Sequence, residues 1–236
     1  MSDRSTPTGR KLIISLFVVL IVILALVAVV PMVYSAFMGP GVRTEGVNTN
    51  NVKPASTDIN GEWDVARGGG ANATSVGYTF FEILPGERKN TSGSTSAVEG
   101  FATIEAGTLT AGSITVDMAK VSSDNERRDI NVRNKILNTD TYPNAVFTIT
   151  EPADLSAVPD DGSVMPITLT GDLEVRGESR PLIHEFDVLR DGDRIIVAGD
   201  VRINRHDYGV ESPEFVAAKI DEEGELNIRV SLEKVS

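Results

Sequence analysis

Arg205, Asp207 and His184 are the residues of this 236-residue chain whose types could perform chemistry together. A guanidinium, a carboxylate and an imidazole can hold an anionic group and move a proton, as a hydrolase or isomerase site requires. The pattern around them argues against it. His184 lies between Leu182 and Phe186 on an apolar face and reads as an interior histidine, while His206 has the opposite parity to Arg205 and reads as near solvent. With two histidines and no cysteine the case for zinc is poor, and no metal ligand is assigned. Asp191-Gly-Asp193 and Asp221-Glu-Glu-Gly224 lack calcium-loop spacing and read as turns. A nucleophile elbow, a Walker A loop and a dinucleotide fingerprint are all missing. The chain is therefore expected to be no enzyme, with no catalytic residue.

Arg205 shares parity with Ile195, Val197, Gly199, Val201 and Ile203, so it points inward at the end of a strand. A buried arginine must be paired, and Asp129 and Asp207 are the candidates. Such a pair either closes the polar end of a cavity, meeting a ligand head group, or simply ties a helix to a barrel. Arg128-Asp129 opens the one helical segment, where an acidic residue also suits the first turn. Tyr142-Pro143 fixes the chain after that helix. Trp63, Tyr78, Phe80, Phe101, Phe147 and Phe186 supply aromatic surface, but parity cannot divide core from cavity lining, because in a barrel both share one face.

The elements that must position these residues have period 2. Ile167, Leu169, Leu173 and Val175 alternate with polar residues, as do Leu182–Val188, Ile195–Ile203 and Leu226–Leu232. Each reads as an antiparallel strand with one wet face. Ser75–Ile83, Ala97–Glu105, Ile114–Val121 and Ala145–Thr150 read as further strands, with glycines 100, 107, 112, 171 and 199 at bends or bulges. Asn125–Asn138, capped by Asp124 or Asn125, is the only helix expected there. About eight antiparallel strands and one short helix predict an all-β closed barrel, which removes sheet edges and is just wide enough for one slender ligand.

Ahead of this domain, Leu12–Val42 carries no charge, and about 20 apolar residues span a bilayer core. Residues 12–34 are expected to be a single transmembrane anchor, although Val33 and Ser35 also have the spacing of a signal-peptide cleavage site. Arg4, Arg10 and Lys11 precede it against Asp3, so residues 1–11 are expected in the cytoplasm and the rest outside the cell membrane. Residues 35–57, rich in Gly, Asn and Thr, suggest a flexible linker, and 58–236 the barrel domain. The 22 basic and 34 acidic residues give −12; without the +2 of the first 42 residues the exported part carries −14. Nucleic acid is excluded as a partner by that balance, and the domain as a whole is expected to stand off anionic lipid.

Taken in order, Gly61-Glu-Trp63-Asp-Val, Ser75-Val-Gly-Tyr78-Thr-Phe80, Val98-Glu-Gly-Phe101, Arg128-Asp129, Tyr142-Pro143, Ile167–Pro181 and Ile203-Asn-Arg205-His-Asp207-Tyr208-Gly-Val210 resemble the YceI-like family. The resemblance implies a lipocalin-like barrel that binds polyisoprenoid lipids, with an isoprenoid or isoprenoid quinone as the bound ligand and no other cofactor. Under it, the candidate cavity-lining or polar-end residues are Tyr78, Phe80, Phe101, Arg128, Asp129, Tyr142, Phe147, His184, Phe186, Arg205 and Tyr208. Two positions depart: Thr74 stands where relatives commonly have His, and Tyr208 where Phe is usual. A carrier or reservoir for an apolar lipid is the leading expectation. A stress-protection or protein-interaction module with a filled barrel is the alternative, and a homodimer is left open.

Overall fold

The computed structural model describes residues 7–37, 39–68, 70–84, 87–211 and 219–235. One helix, α1 (Pro7–Phe37), precedes the β domain, and its segment Gly9–Val30 is strongly apolar with none of it buried. It is long and apolar enough to cross a membrane.

Eleven described strands follow: β1 (Gly61–Ala66), β2 (Ser75–Leu84), β3 (Glu87–Thr95), β4 (Val98–Glu105), β5 (Thr108–Asp117), β6 (Asn144–Ile149), β7 (Ala153–Asp154), β8 (Met165–Val175), β9 (Glu178–Asp191), β10 (Arg194–Asn204) and β11 (Lys219–Lys234). Every pairing between them is antiparallel. The ring runs β1-β4-β5-β6-β8-β9-β10-β11 and closes through β1–β11, where Trp63 pairs with Lys234 and Ala66 with Ser231. That is a closed eight-stranded barrel. Long β11 also carries β2 along its other stretch, and β3 pairs β2. Beyond β3 the wall is completed by two hydrogen bonds between Ser94 and Ser122 (2.9 and 3.0 Å).

β3 is missing from the sequence reading. Its residues are Glu-Arg-Lys-Asn-Thr-Ser-Gly-Ser-Thr, with no apolar alternation to mark it. The helix is close to its expected span but split: α2 (Glu126–Asn131) runs into a wider π turn, Val132–Leu137. Asn125 is the cap, its side chain accepting from Arg128 N at 3.1 Å. Asn138 ends the segment in the left-handed region at φ 52°.

Residues 39–57 are not a free linker. They lie along the outside of the barrel as a strap. Val42 N donates to Ser92 O (3.1 Å) and Ser92 N to Pro40 O (2.9 Å). Thr44 and Ser75 share a hydroxyl hydrogen bond of 2.6 Å, and Asn48 and Asn72 exchange two of 2.9 Å. At the far end Lys53 N donates to Asp191 (2.9 Å), Ala55 N to Asp160 O (2.7 Å) and Ser56 N to Gly192 O (2.7 Å). The strap's composition predicts flexibility because it has few large apolar residues. Its order comes instead from polar partners on a wall that composition does not reveal. Asn227, an outward-facing residue of β11, is 0% exposed and donates to Asp200, which in turn pairs with Arg43 of the strap at 2.7 Å. Gly41 sits at φ +86° with the Ser92 backbone against it, so this contact needs glycine.

Candidate functional site

The alternation of each strand sends its apolar residues inward, and the barrel is too wide for them to meet everywhere. A cavity of about 670 Å³ remains, within the range of small-molecule sites. It is lined from Leu182 to Val188 along β9 and from Leu226 to Leu232 along β11. Six residues of strand at about 3.3 Å each make it roughly 20 Å long. One end is plugged: Trp63 (1% exposed), Leu155 and Val158 are buried there, and Trp63 Nε1 donates to Ile59 O at 2.9 Å. Toward the other end Met118, Leu173, Val175, Tyr208 and Val210 form a second apolar cluster. The exposed polar residues of the lining, Arg127, Asn131, Lys135 and Glu211, mark that second end as the mouth, beneath α2.

Aromatic rings of the lining rest on glycines of neighbouring strands. Phe147 lies over Gly171, Phe186 over Gly199 and Phe80 over Gly224; a Cβ added at Gly171 would fall 2.7 Å from the Phe147 ring, and one at Gly199 2.8 Å from that of Phe186. Laid flat against the wall in this way, the rings leave the axis of the barrel open. Tyr78 and Phe80 continue the surface, their ring centroids 6.3 Å apart. Burial pushes the Tyr78 phenol pKa well above its ordinary value, the nearby Arg128 charge only partly opposing it, so it stays neutral. Burial, then the Asp207 charge, raises that of Tyr208.

Of the candidate residues, Tyr78, Phe80, Phe101, Arg128, Phe147, Phe186, Arg205 and Tyr208 border the cavity. Phe101 does so while 46% exposed. Asp129, Tyr142 and His184 do not border it. Asp129 accepts from Ser123 N (2.8 Å) and Ser123 Oγ (2.6 Å), fixing the start of α2. The Tyr142 ring packs on Gly177, and His184 meets Phe186 edge-on at 4.8 Å.

Arg205 is buried, as its parity requires, but its hydrogen bonds go to carbonyls rather than to a carboxylate: Nε donates to Asp221 O (3.1 Å) and Nη1 to Val210 O (2.7 Å). Among the described residues it makes no ion pair. The reason is local. β10 ends at Asn204 in a short 3-10 turn, leaving carbonyls without ladder partners, and the guanidinium reaches them. Arg128 is the buried cation that does pair, with Asp124 at 2.7 Å; it also donates to Gly39 O at 3.1 Å. No hydrogen bond joins His184, Arg205 and Asp207 among the described residues, and none of their groups forms a metal-ligating cluster there.

Sequence reading missed the charged rim (Glu82, Arg127, Lys135, Glu211) and the aliphatic lining such as Ile114, Leu169 and Ile228. Strand parity marks most of the aliphatic residues as inward. Nothing in the sequence separates those that touch one another from those that face open volume.

A family model described as a YceI-like domain matches residues 53–232. Two solved structures share the fold. One is a polyisoprenoid binding domain from Saccharophagus degradans implicated in plant cell wall breakdown, with a TM-score of 0.58 and 19% identity over 73% of this chain and 98% of that one. The other is Burkholderia cenocepacia BcnA, with a TM-score of 0.54 and 16% identity over 67% and 94%. No curated protein matches the sequence.

Proposed function

The chain belongs to the family of YceI-like domains, and on that footing we propose that it is a membrane-anchored, extracytoplasmic carrier or reservoir for a long apolar lipid, a polyisoprenoid or an isoprenoid quinone. The observation that carries this reading is the slender cavity of about 670 Å³, walled by aliphatic side chains and glycine-seated rings and open at a charged rim. A filled barrel acting only as an interaction module would need no such volume. The S. degradans domain, which has this fold, is a polyisoprenoid binding domain. Transfer of an isoprenoid chain from water gains about 25 cal/mol per Å² of apolar surface buried, so a chain filling the cavity supplies the affinity and the rim sets its direction.

α1 is the anchor, with the N-terminus in the cytoplasm and the barrel outside. Residues 39–57 follow as the strap and the barrel runs from about residue 58. On this reading the protein binds rather than catalyses: binding and release need no proton transfer, and among the described residues no hydrogen bond joins His184, Arg205 and Asp207. Lipid extraction of the full chain purified in detergent from its host, followed by mass spectrometry, tests the proposal. A stoichiometric isoprenoid is expected; repeated recovery of the protein with no lipid beyond detergent and bulk phospholipid would overturn it.

A further inference from the structure

The strap and the mouth meet at one point. α1 ends at Phe37, and two residues later the Gly39 carbonyl accepts from Arg128 Nη2 (3.1 Å), while Gly41 N donates to Asp124 (3.2 Å). The chain is therefore bonded to the mouth helix α2 almost as soon as it leaves α1, and then runs away to the β9–β10 turn at the plugged end. Eight residues separate Val30, the last residue of the apolar span, from Gly39. Seven of them continue the helix, about 10 Å at 1.5 Å each. The head-group layer on each side of a bilayer is about 5–7 Å deep. The start of the strap thus stands within a few ångströms of the head groups, and the mouth helix stands beside it.

The surface of that helix suits the location. Ile130 is 45% exposed, with exposed Arg127 and Lys135 around it on the cavity rim. Residues 124–137 hold four bases and three acids, a net +1 in a part of the chain that otherwise carries −15. This weakly basic stretch stands beside the anchor, and anionic lipid attracts it while repelling the acidic domain as a whole.

We propose that the mouth rim docks on the outer head-group layer of the bilayer that holds α1, with Ile130 at the interface and Arg127 and Lys135 against lipid phosphates, and that the strap sets this orientation. The inference rests on α1 being a retained anchor. It adds that the cavity opens onto the bilayer rather than into water, so an apolar chain enters without crossing the aqueous phase.

The absence of cysteine makes the test direct. The full chain, carrying a fluorophore at Asn134→Cys (one turn on from Ile130) or at Asp193→Cys (the plugged end), is reconstituted in vesicles of phosphatidylethanolamine and phosphatidylglycerol bearing head-group nitroxides. Flotation after a carbonate wash reads the anchor separately. Several-fold stronger quenching of the Asn134 label than of the Asp193 label is expected. Releasing the strap with Gly41→Val, or with Arg43→Ala as a milder variant, should bring the two labels together while flotation persists. Floating protein with equal quenching at both ends overturns the docking and leaves the anchor standing, whereas protein that does not float overturns both. Quenching contrast that survives both strap variants overturns the strap's role.

Discussion

The Phe147 ring lies directly on Gly171 of the neighbouring strand, close enough that a Cβ there would fall 2.7 Å from two ring atoms. The pair couples a wall position with no side chain to an aromatic one, and it recurs with Phe186 on Gly199. Each glycine allows a large apolar ring to lie flat, so that the wall is thick enough to exclude water while the axis stays open.

Gly199→Ala is expected to force Phe186 off its seat and into the cavity, because that ring is the group nearest the added methyl. Overpacking of this kind typically costs about 1–3 kcal/mol. Urea unfolding of the variant should show the loss, and Gly199→Ala with Phe186→Leu should recover most of it, since the smaller side chain clears the added methyl.

Leu226 borders the cavity from β11 and is only partly buried. Leu226→Trp should occupy volume that a ligand needs, and recovery of isoprenoid with the purified protein should fall several-fold while the thermal midpoint is held or raised. Wild-type lipid content in this variant would mean that the ligand lies elsewhere.

Arg205→Met removes the donors for the Val210 and Asp221 carbonyls, at about 1–3 kcal/mol for each buried group left unpaired. Arg205→Lys should rescue little, because one ammonium cannot reproduce the planar fork that serves both carbonyls. Chemical denaturation compares the three proteins. Equal stability of the Lys variant and the parent would show that the fork geometry is not needed.

Tyr78 gives a sign for alkaline pH. Its pKa is raised in the fold, so the unfolded chain releases the proton first, and stability is unaffected below the ordinary tyrosine range and falls as pH rises through it, above about pH 10. Tyr78→Phe removes that titration and should move the alkaline unfolding midpoint, followed by circular dichroism, upward. No movement would mean that another group sets the alkaline limit.

Features that depend on neighbours along the chain were legible in the sequence. The apolar run of α1, the alternation of β8–β11, a cap at Asp124 or Asn125 and the inward parity of Arg205 each follow from local geometry, a rise per residue or a side-chain period. The ordered motifs added the barrel family, and with it eight candidate residues that border the cavity. Register between distant strands decided the rest. Which ring meets which glycine, which carbonyls Arg205 reaches, and whether Asp129 faces Arg205 or Ser123 all depend on pairings that no local pattern encodes. β3 was invisible because it carries no apolar alternation and holds to β2 through its backbone, and the strap because its stability is polar and non-local, supplied by Ser92, Ser75, Asn72 and Asp191 on other elements. Composition alone therefore reads such segments as flexible, and only the assembled wall gives their backbone groups partners.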